Sequence, residues 1–203
     1  LQNIQMGQDF FVIEGRFEKD KKEEKIICSL KKGQKKIVKR NGKNYEKLAD
    51  HIGLIPTVII SPSDRDLISE GSSTRRKFMD GVIGQTDTPF LRHLQEYNKI
   101  LSQRNALLKY FAINQTFDSK TLEVYDDQLT ERSAPIFKKR KAFMKAFIPI
   151  FKSRYQEISG QDEFVTLEYE TQLDAEDHSS QLKSSIGKDR AIQHTSIGIH
   201  KDD

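Results

Sequence analysis

The spacing of hydrophobic and polar positions changes along the chain, and each change predicts a different element. Residues 10–17 (FFVIEGRF) alternate, with Phe11, Ile13, Gly15 and Phe17 on one side and Val12, Glu14 and Arg16 on the other, the pattern of a strand. Residues 25–30 and 35–39 are two further strand candidates, separated by polar turns at 19–24 and at Lys32-Gly33-Gln34. Together they predict a β-meander with one solvated face, its lysines discouraging edge-to-edge pairing. Asn41-Gly42 marks a tight turn. Residues 45–52 predict a short helix stopped by Gly53. The unbroken apolar run Val58-Ile59-Ile60 predicts a buried, central, parallel strand. The chain turns after it at Ser61-Pro62, and Ser63 with Asp66 has the spacing of a capping box for a short helix. Gly71-Ser72-Ser73-Thr74 breaks that helix and caps the next.

The middle of the chain has a helical period. Pro89 sits where a first-turn proline belongs, and Phe90, Leu94, Tyr97, Leu101, Leu108 and Phe111 follow it at 4-3 spacing, interrupted by Arg104. A second seam runs through Leu122, Leu129, Ile136, Phe143, Phe147 and Ile150, with a turn at 114–119 between the two. The reading is an antiparallel helical hairpin. Pro149 is expected to kink or break its second helix, because proline lacks a donor and clashes with the preceding turn. Beyond Ser159-Gly160 the period returns to two over 164–169, a polar helix follows over 175–189, and 195–199 is a last strand candidate. The predicted class is α+β: a β-meander plus central strand joined to a helical lobe. Its parts are 1–86 (strands and short helices), 87–160 (the hairpin) and 161–203 (strand, helix, strand), with strands from both ends joining one sheet.

Composition adds limits rather than an identity. The chain has 203 residues, 35% hydrophobic and 32% charged, and a net charge of +4; plentiful Phe, Ile and Leu set it apart from disorder. The mild positive charge points only weakly to an anionic partner. A single cysteine, Cys28, excludes an internal disulfide and favours a reducing, cytoplasmic location. No apolar run approaches the ~20 residues of a membrane span, and no signal peptide is visible. Opening on Leu1 and stopping at His-Lys-Asp-Asp, the chain is read as an internal piece of a longer protein. It contains no GxxxxGK[ST] loop, no GxGxxG, no zinc spacing, no HExxH and no nucleophile elbow. By itself it does not read as a complete enzyme, and no catalytic or metal-ligating set is assigned. A metal cluster of His200, Asp202 and Asp203 is set aside because no second group of ligands accompanies it.

The strongest charge feature is 132–154, which holds Arg132, Lys138, Lys139, Arg140, Lys141, Lys145, Lys152 and Arg154 and no acid. On a helix this is a candidate track for nucleic-acid phosphates, in competition with a solvated face whose lysines cover apolar surface. Arg75 and Arg76 are candidates for DNA or partner contact, against an ordinary pairing of Arg76 with Asp80 one turn on. Arg104 either fixes helix register or reaches an acid such as Asp126.

Several segments, in order, resemble the RecF family of bacterial DNA-repair ATPases of the ABC/SMC type. Residues 61–81 (SPSDRDLISEGSSTRRKFMDG) are similar to that family's Ser-Pro-acidic turn and paired-arginine helix. Residues 94–109, with the triplet Gln103-Arg104-Asn105, resemble its next helix, and 125–159 is similar as well. Residues 195–203 (TSIGIHKDD) resemble its Thr-x-x-Gly-Pro-His-basic-Asp-Asp segment, carrying Gly198, His200, Asp202 and Asp203, with Ile199 where that pattern has proline. The resemblance implies part of an ABC-type ATPase head with a helical second lobe, the phosphate loop lying before Leu1 and the signature and acidic motifs after Asp203. It further implies ATP and Mg²⁺ in the parent protein but none bound by this piece, and an ATP-dependent homodimer with weak DNA-dependent ATPase activity. RecR, RecO and gapped DNA are the implied partners, and DNA repair, replication, recombination and the SOS response the setting. Ser61, Pro62, Ser63 and Asp64 occupy the place of a lobe-linking, ATP-coupling loop. A non-enzymatic adaptor that docks another protein through the hairpin is the alternative; an SMC relative is disfavoured by the short helices.

Overall fold

The period-two stretch at the start of the chain forms an antiparallel meander in the computed structural model, which describes residues 3–160, 163–173 and 178–203. Strands β1 (Phe10–Lys19), β2 (Lys22–Lys31), β3 (Ile37–Arg40) and β4 (Lys43–Asn44) lie in sequence order. Register is pinned by two-residue turns. Asp20 and Lys21 join β1 to β2 at φ 52° and 61°, and Asn41-Gly42 joins β3 to β4 at 48° and 83°, the double positive φ that suits hairpin twist. The ladder from Phe10↔Lys31 to Lys19↔Lys22 carries both strands beyond the predicted 10–17 and 25–30. Asn41 also accepts from the Lys25 N–H at 2.8 Å and donates to Glu24 at 2.8 Å. Ile26 and Val38 are buried, while Phe10, Val12, Ile13 and Phe17 stay exposed. The helix expected over 45–52 shrinks to one 3₁₀ turn, Leu48–His51, with Gly53 at φ 84° after it. This unit is Leu1–Pro56.

The second unit, Thr57–Asp203, is helical. It comprises α1 (Asp66–Ser69), α2 (Ser72–Thr86), α3 (Thr88–Asn114), α4 (Ser119–Ser159) and α5 (His178–Ile192). The pairs Asp87–Lys139, Glu96–Arg132 and Arg104–Asp126 show α3 and α4 running antiparallel, as predicted. Asp87 caps α3 by accepting from the Phe90 N–H at 2.9 Å, ahead of Pro89 in the first turn. Gln115, left-handed at φ 52°, ends α3, and the Asp118 carboxylate starts α4. The core joins Met79 and Ile83 of α2, Phe90, Tyr97 and Ile100 of α3, Leu129 and Ile136 of α4, Leu173, Leu182 of α5 and Ile199.

Several expectations need correction. Val58, Ile59 and Ile60 form no strand and are 91%, 82% and 88% exposed; a buried parallel strand needs neighbours on both edges, and among the described residues the only sheet is the meander. The capping box is two residues earlier than predicted. The Ser61 N–H donates to Asp64 at 2.8 Å and the 3₁₀ turn Pro62–Arg65 follows. α4 runs unbroken through Pro149, and through Pro135 as well. Aromatic rings at i,i+4 spacing span Pro149: Phe143–Phe147 at 5.3 Å, Phe147–Phe151 at 6.1 Å and Phe151–Tyr155 at 6.1 Å. They brace the turns on both sides of the missing hydrogen bond.

Residues 164–169 keep an alternating burial but form no strand; only Glu170 exchanges N–H···O=C bonds with Asp203, at 2.7 and 2.9 Å. Residues 195–199 form no strand either, so among the described residues no sheet joins strands from both ends of the chain. The division expected at 86/87 falls instead at Pro56, because α2 packs on the hairpin and 195–203 packs beside it. The start of the polar helix predicted at 175 lies outside the described residues.

Candidate functional site

Arg104, expected within an apolar seam, and Arg140, expected on a basic surface, both turn inward and tie the hairpin to the closing segment. Arg104, fully buried on α3, donates from Nε to Asp126 at 2.6 Å, and from Nη1 to Asp189 at 2.7 Å and Thr195 Oγ1 at 2.9 Å. Thr195 Oγ1 in turn donates to Asn105 Oδ1 at 2.6 Å, and the Thr195 N–H meets the same oxygen at 2.8 Å. Asp189 accepts from the N–H and hydroxyl of Ser196, at 2.9 and 2.6 Å. Four pieces of chain (α3, α4, α5 and 195–196) therefore meet at one guanidinium. Burial raises the Asp126 carboxyl above its usual range, with Arg104 pulling the other way. Gln103, beside them, faces solvent.

Arg140 on α4 forms the second node. Its Nε and Nη2 grip Asp80 with two bonds of 2.8 Å, and Nη1 reaches the Ile199 carbonyl at 2.6 Å and Asp202 at 2.9 Å. Asp202, wholly buried, also accepts from the hydroxyls of Tyr169 and of Thr171, the latter at 2.8 Å. These carboxylates hold the guanidinium pKa above its ordinary value despite burial. Arg75 makes a two-bond clamp on Asp203, at 2.5 and 2.6 Å, and Arg76 donates to the Asp202 carbonyl. Asp80 is thus the partner of Arg140 and not of Arg76, correcting the i,i+4 expectation.

Between the nodes, His200 Nε2 meets the Thr195 carbonyl at 3.2 Å and Tyr97 OH meets Nδ1 at 2.8 Å. Burial pushes the His200 pKa down to about 4. Gly198 makes this approach possible. Its φ is +140°, and a Cβ there would lie 2.6 Å from the Tyr97 hydroxyl, so a side chain is excluded by both backbone and space.

Two other candidates lie on the surface. Lys138, Lys139, Lys141 and Lys145 are exposed on α4. Lys139 pairs with Asp87 at 2.6 Å, and Lys141 lies over the Phe137 ring at 5.8 Å. Arg140 is withdrawn from this face: it is 2% exposed and its donors are committed inside. Ser61, Pro62, Ser63 and Asp64 form an exposed capped turn, without the buried strand expected before it.

The sequence pattern links Arg104 to Asp126 but gives Asp80 to Arg76 and leaves Asp189, Tyr97, Tyr169 and Thr195 without a role in the nodes. Tyr97 was visible as a polar-tipped residue in an apolar seam, where a buried hydroxyl needs a partner. The acids carried no local signal for their arginines, which lie 60 and 85 positions away.

No protein-family model matches the chain. It is 58% identical over 203 residues to the DNA replication and repair protein RecF of Flavobacterium johnsoniae, covering all of this chain and 56% of that protein. It is 43% identical over 202 residues to RecF of Parabacteroides distasonis, covering 54% of it. The chain thus spans about half the length of the curated relatives it matches. Among solved structures, the recombination mediator RecF with ATP, of the RecFOR pathway, superposes with a TM-score of 0.88 at 29% identity, over 98% of this chain and 56% of that one. The same mediator as RecF-ATPrS gives 0.86 at 28%, with the same coverage.

Proposed function

Because the chain belongs, over its whole length, to the RecF family, we propose that it serves within a DNA-binding, ATP-regulated protein of recombinational repair and replication restart that helps load recombinase at gapped DNA. The observation that carries this reading is the match of nearly the whole chain to a RecF–ATP structure. ATP and Mg²⁺ are held by other parts of such a protein, since no phosphate-loop sequence occurs among these residues. Ser61, Pro62, Ser63 and Asp64 serve as the loop that couples nucleotide to the helical unit. RecR, RecO and a second ATP-bound copy are the partners, in the cytoplasm, and the Arg104 and Arg140 nodes make the helical unit stiff enough to transmit a change. Lys138, Lys139, Lys141 and Lys145 form the phosphate-facing surface, with Arg140 as the buried support of that helix and Arg75 and Arg76 engaged at its other side.

Fluorescence anisotropy on a gapped duplex at low and moderate salt tests the DNA reading. Affinity should fall steeply with salt, log K dropping by up to about 0.9 per neutralised phosphate for each unit of log salt. Charge reversal of the four exposed lysines should abolish binding. Binding indifferent to both sinks this assignment. An apolar groove of about 660 Å³ beside α4, lined by Phe78, Phe143, Phe147 and Phe151, favours the protein-docking alternative in that event.

A further inference from the structure

Arg76 differs from the other arginines that anchor this unit. Arg75, Arg104 and Arg140 each meet a carboxylate, whereas Arg76 donates only through Nη1, to the main-chain carbonyl of Asp202. A guanidinium carries five N–H donors and a permanent charge, and this one is half-buried. The nearby carboxylates are already committed: Asp80 to Arg140, Asp202 to Arg140, Tyr169 and Thr171, and Asp203 to Arg75. Burial, and then the charge of Arg140, disfavour the cationic form of Arg76, and the charges of Asp202, Asp203 and Asp80 offset this only in part. A guanidinium partly taken from water without a direct ion pair is incompletely compensated.

What Arg76 faces is a cavity of about 250 Å³ between α2, α3 and the closing turn, also lined by Ser73, Lys77, Asn98 and His200. Among the described residues, the side chains of Ser73, Lys77 and Asn98 have no hydrogen-bond or ion-pair partner. The cavity is lined by the cations Arg76, Lys77 and Arg140 and the carboxylate Asp80; counting also Asp202, the other partner of Arg140, an excess of one positive charge remains. A single water occupies about 30 Å³, so the space holds a group several waters in size. We propose that this cavity is an oxyanion site that takes a phosphate group. Arg76 anchors it through its free edge, the strongest donor geometry for phosphate. Lys77 supplies a second charge, and Ser73 and Asn98 supply neutral donors. The phosphate belongs either to a nucleic-acid backbone or to a small free phosphate compound, and the site does not depend on the lysine face of α4.

The test is thermal unfolding of the 203-residue chain in potassium phosphate against potassium chloride at equal ionic strength. Phosphate should raise Tm saturably above chloride, because a ligand bound only by the folded state stabilises it. Arg76→Gln should fold normally, since it removes an incompletely compensated charge that makes no ion pair, and should bind phosphate about tenfold more weakly or worse. Should Arg76→Gln fail to fold, Asn98→Leu and Ser73→Val obstruct the cavity without touching the ion pairs, and they should remove the phosphate response. A phosphate response equal to chloride, or unchanged in the variants that fold, overturns the proposal. A single-stranded oligonucleotide that displaces phosphate identifies a backbone phosphate as the ligand, and one that leaves the response intact identifies a free phosphate compound. The lysine-reversed α4 variant should keep its phosphate response even where DNA binding is lost, which separates this site from the DNA-binding surface.

Discussion

The meander of the first unit and the hairpin of the second use the same charged residue types in opposite ways. In the meander, apart from Arg40 on the buried Glu24, ion pairs sit on the solvent side of the strands. Arg16 reaches Glu14 and Glu23 with two-thirds of its side chain exposed, and Lys25 reaches Glu14. These pairs follow from register, and screened surface pairs contribute about 0–1 kcal/mol. In the hairpin unit the ion pairs of Arg104 and Arg140 are interior and join positions 22 to 85 apart in sequence. They hold little net energy over an apolar replacement, yet losing one partner strands a buried charge. Charge in the first unit decorates a ladder; in the second it specifies which helix meets which segment.

Breaking single arginines should expose that contrast most sharply. Arg140→Met leaves Asp80 and Asp202 without their cation and should cost the second unit about 3–5 kcal/mol, read by urea unfolding. Arg16→Met in the meander should fall within about 0.5 kcal/mol of the parent.

Acid separates the units next. The Ser133 hydroxyl donates to the Thr130 carbonyl, so His178 Nδ1–H donates to Ser133, and the buried Nε2 has no partner. Burial depresses both His178 and His200 from 6.5 to about 4. A base whose folded pKa is lowered stabilises the fold fully above 6.5, and that contribution is lost as pH falls from 6.5 through about 4. Each histidine contributes on the order of 3 kcal/mol. In the meander the Arg40 guanidinium draws Glu24 from 4.5 down to about 2, so its support is present above 4.5 and is lost only as pH falls below that, through about 2. Hydrogen exchange at pH 5 should show α3–α5 loosened and β1–β3 unchanged. Equal loosening of both would remove the histidine account.

Smaller effects sharpen the picture further. Gly198→Ala should cost roughly 1–3 kcal/mol through its positive φ and its clash with Tyr97, and the loss should be visible as reduced protection of 195–203. Lys139→Gln, at an exposed pair with Asp87, should cost no more than about 1 kcal/mol in the same urea assay.

The same division explains what the sequence disclosed. Alternation at 10–17 and the Asn41-Gly42 turn were legible because strand and turn are local, and the 4-3 seams gave both long helices because helical faces repeat locally. Val58-Ile59-Ile60 misled because apolar character announces a wish to be covered, not the presence of a cover. Arg140 sat in a basic run, where counting charge could not reveal that one member turns inward to Asp80 and Asp202. Pro149 does not break α4, because aromatic rings at i,i+4 spacing brace the turns on both sides of it. The family resemblance survived these errors because it rested on ordered motifs, several of whose residues, among them Asp80, Arg104 and Asp202, prove to be members of the two nodes.

The claim most open to direct attack is that Arg140, Asp80 and Asp202 act as one unit holding the hairpin to the end of the chain. A triple-mutant cycle by urea unfolding tests it, comparing Arg140→Met, the pair Asp80→Asn and Asp202→Asn, and all three together. The account predicts that the triple variant is more stable than Arg140→Met alone, because the stranded carboxylates are gone. Additive losses, with the triple variant the least stable of all, would contradict it.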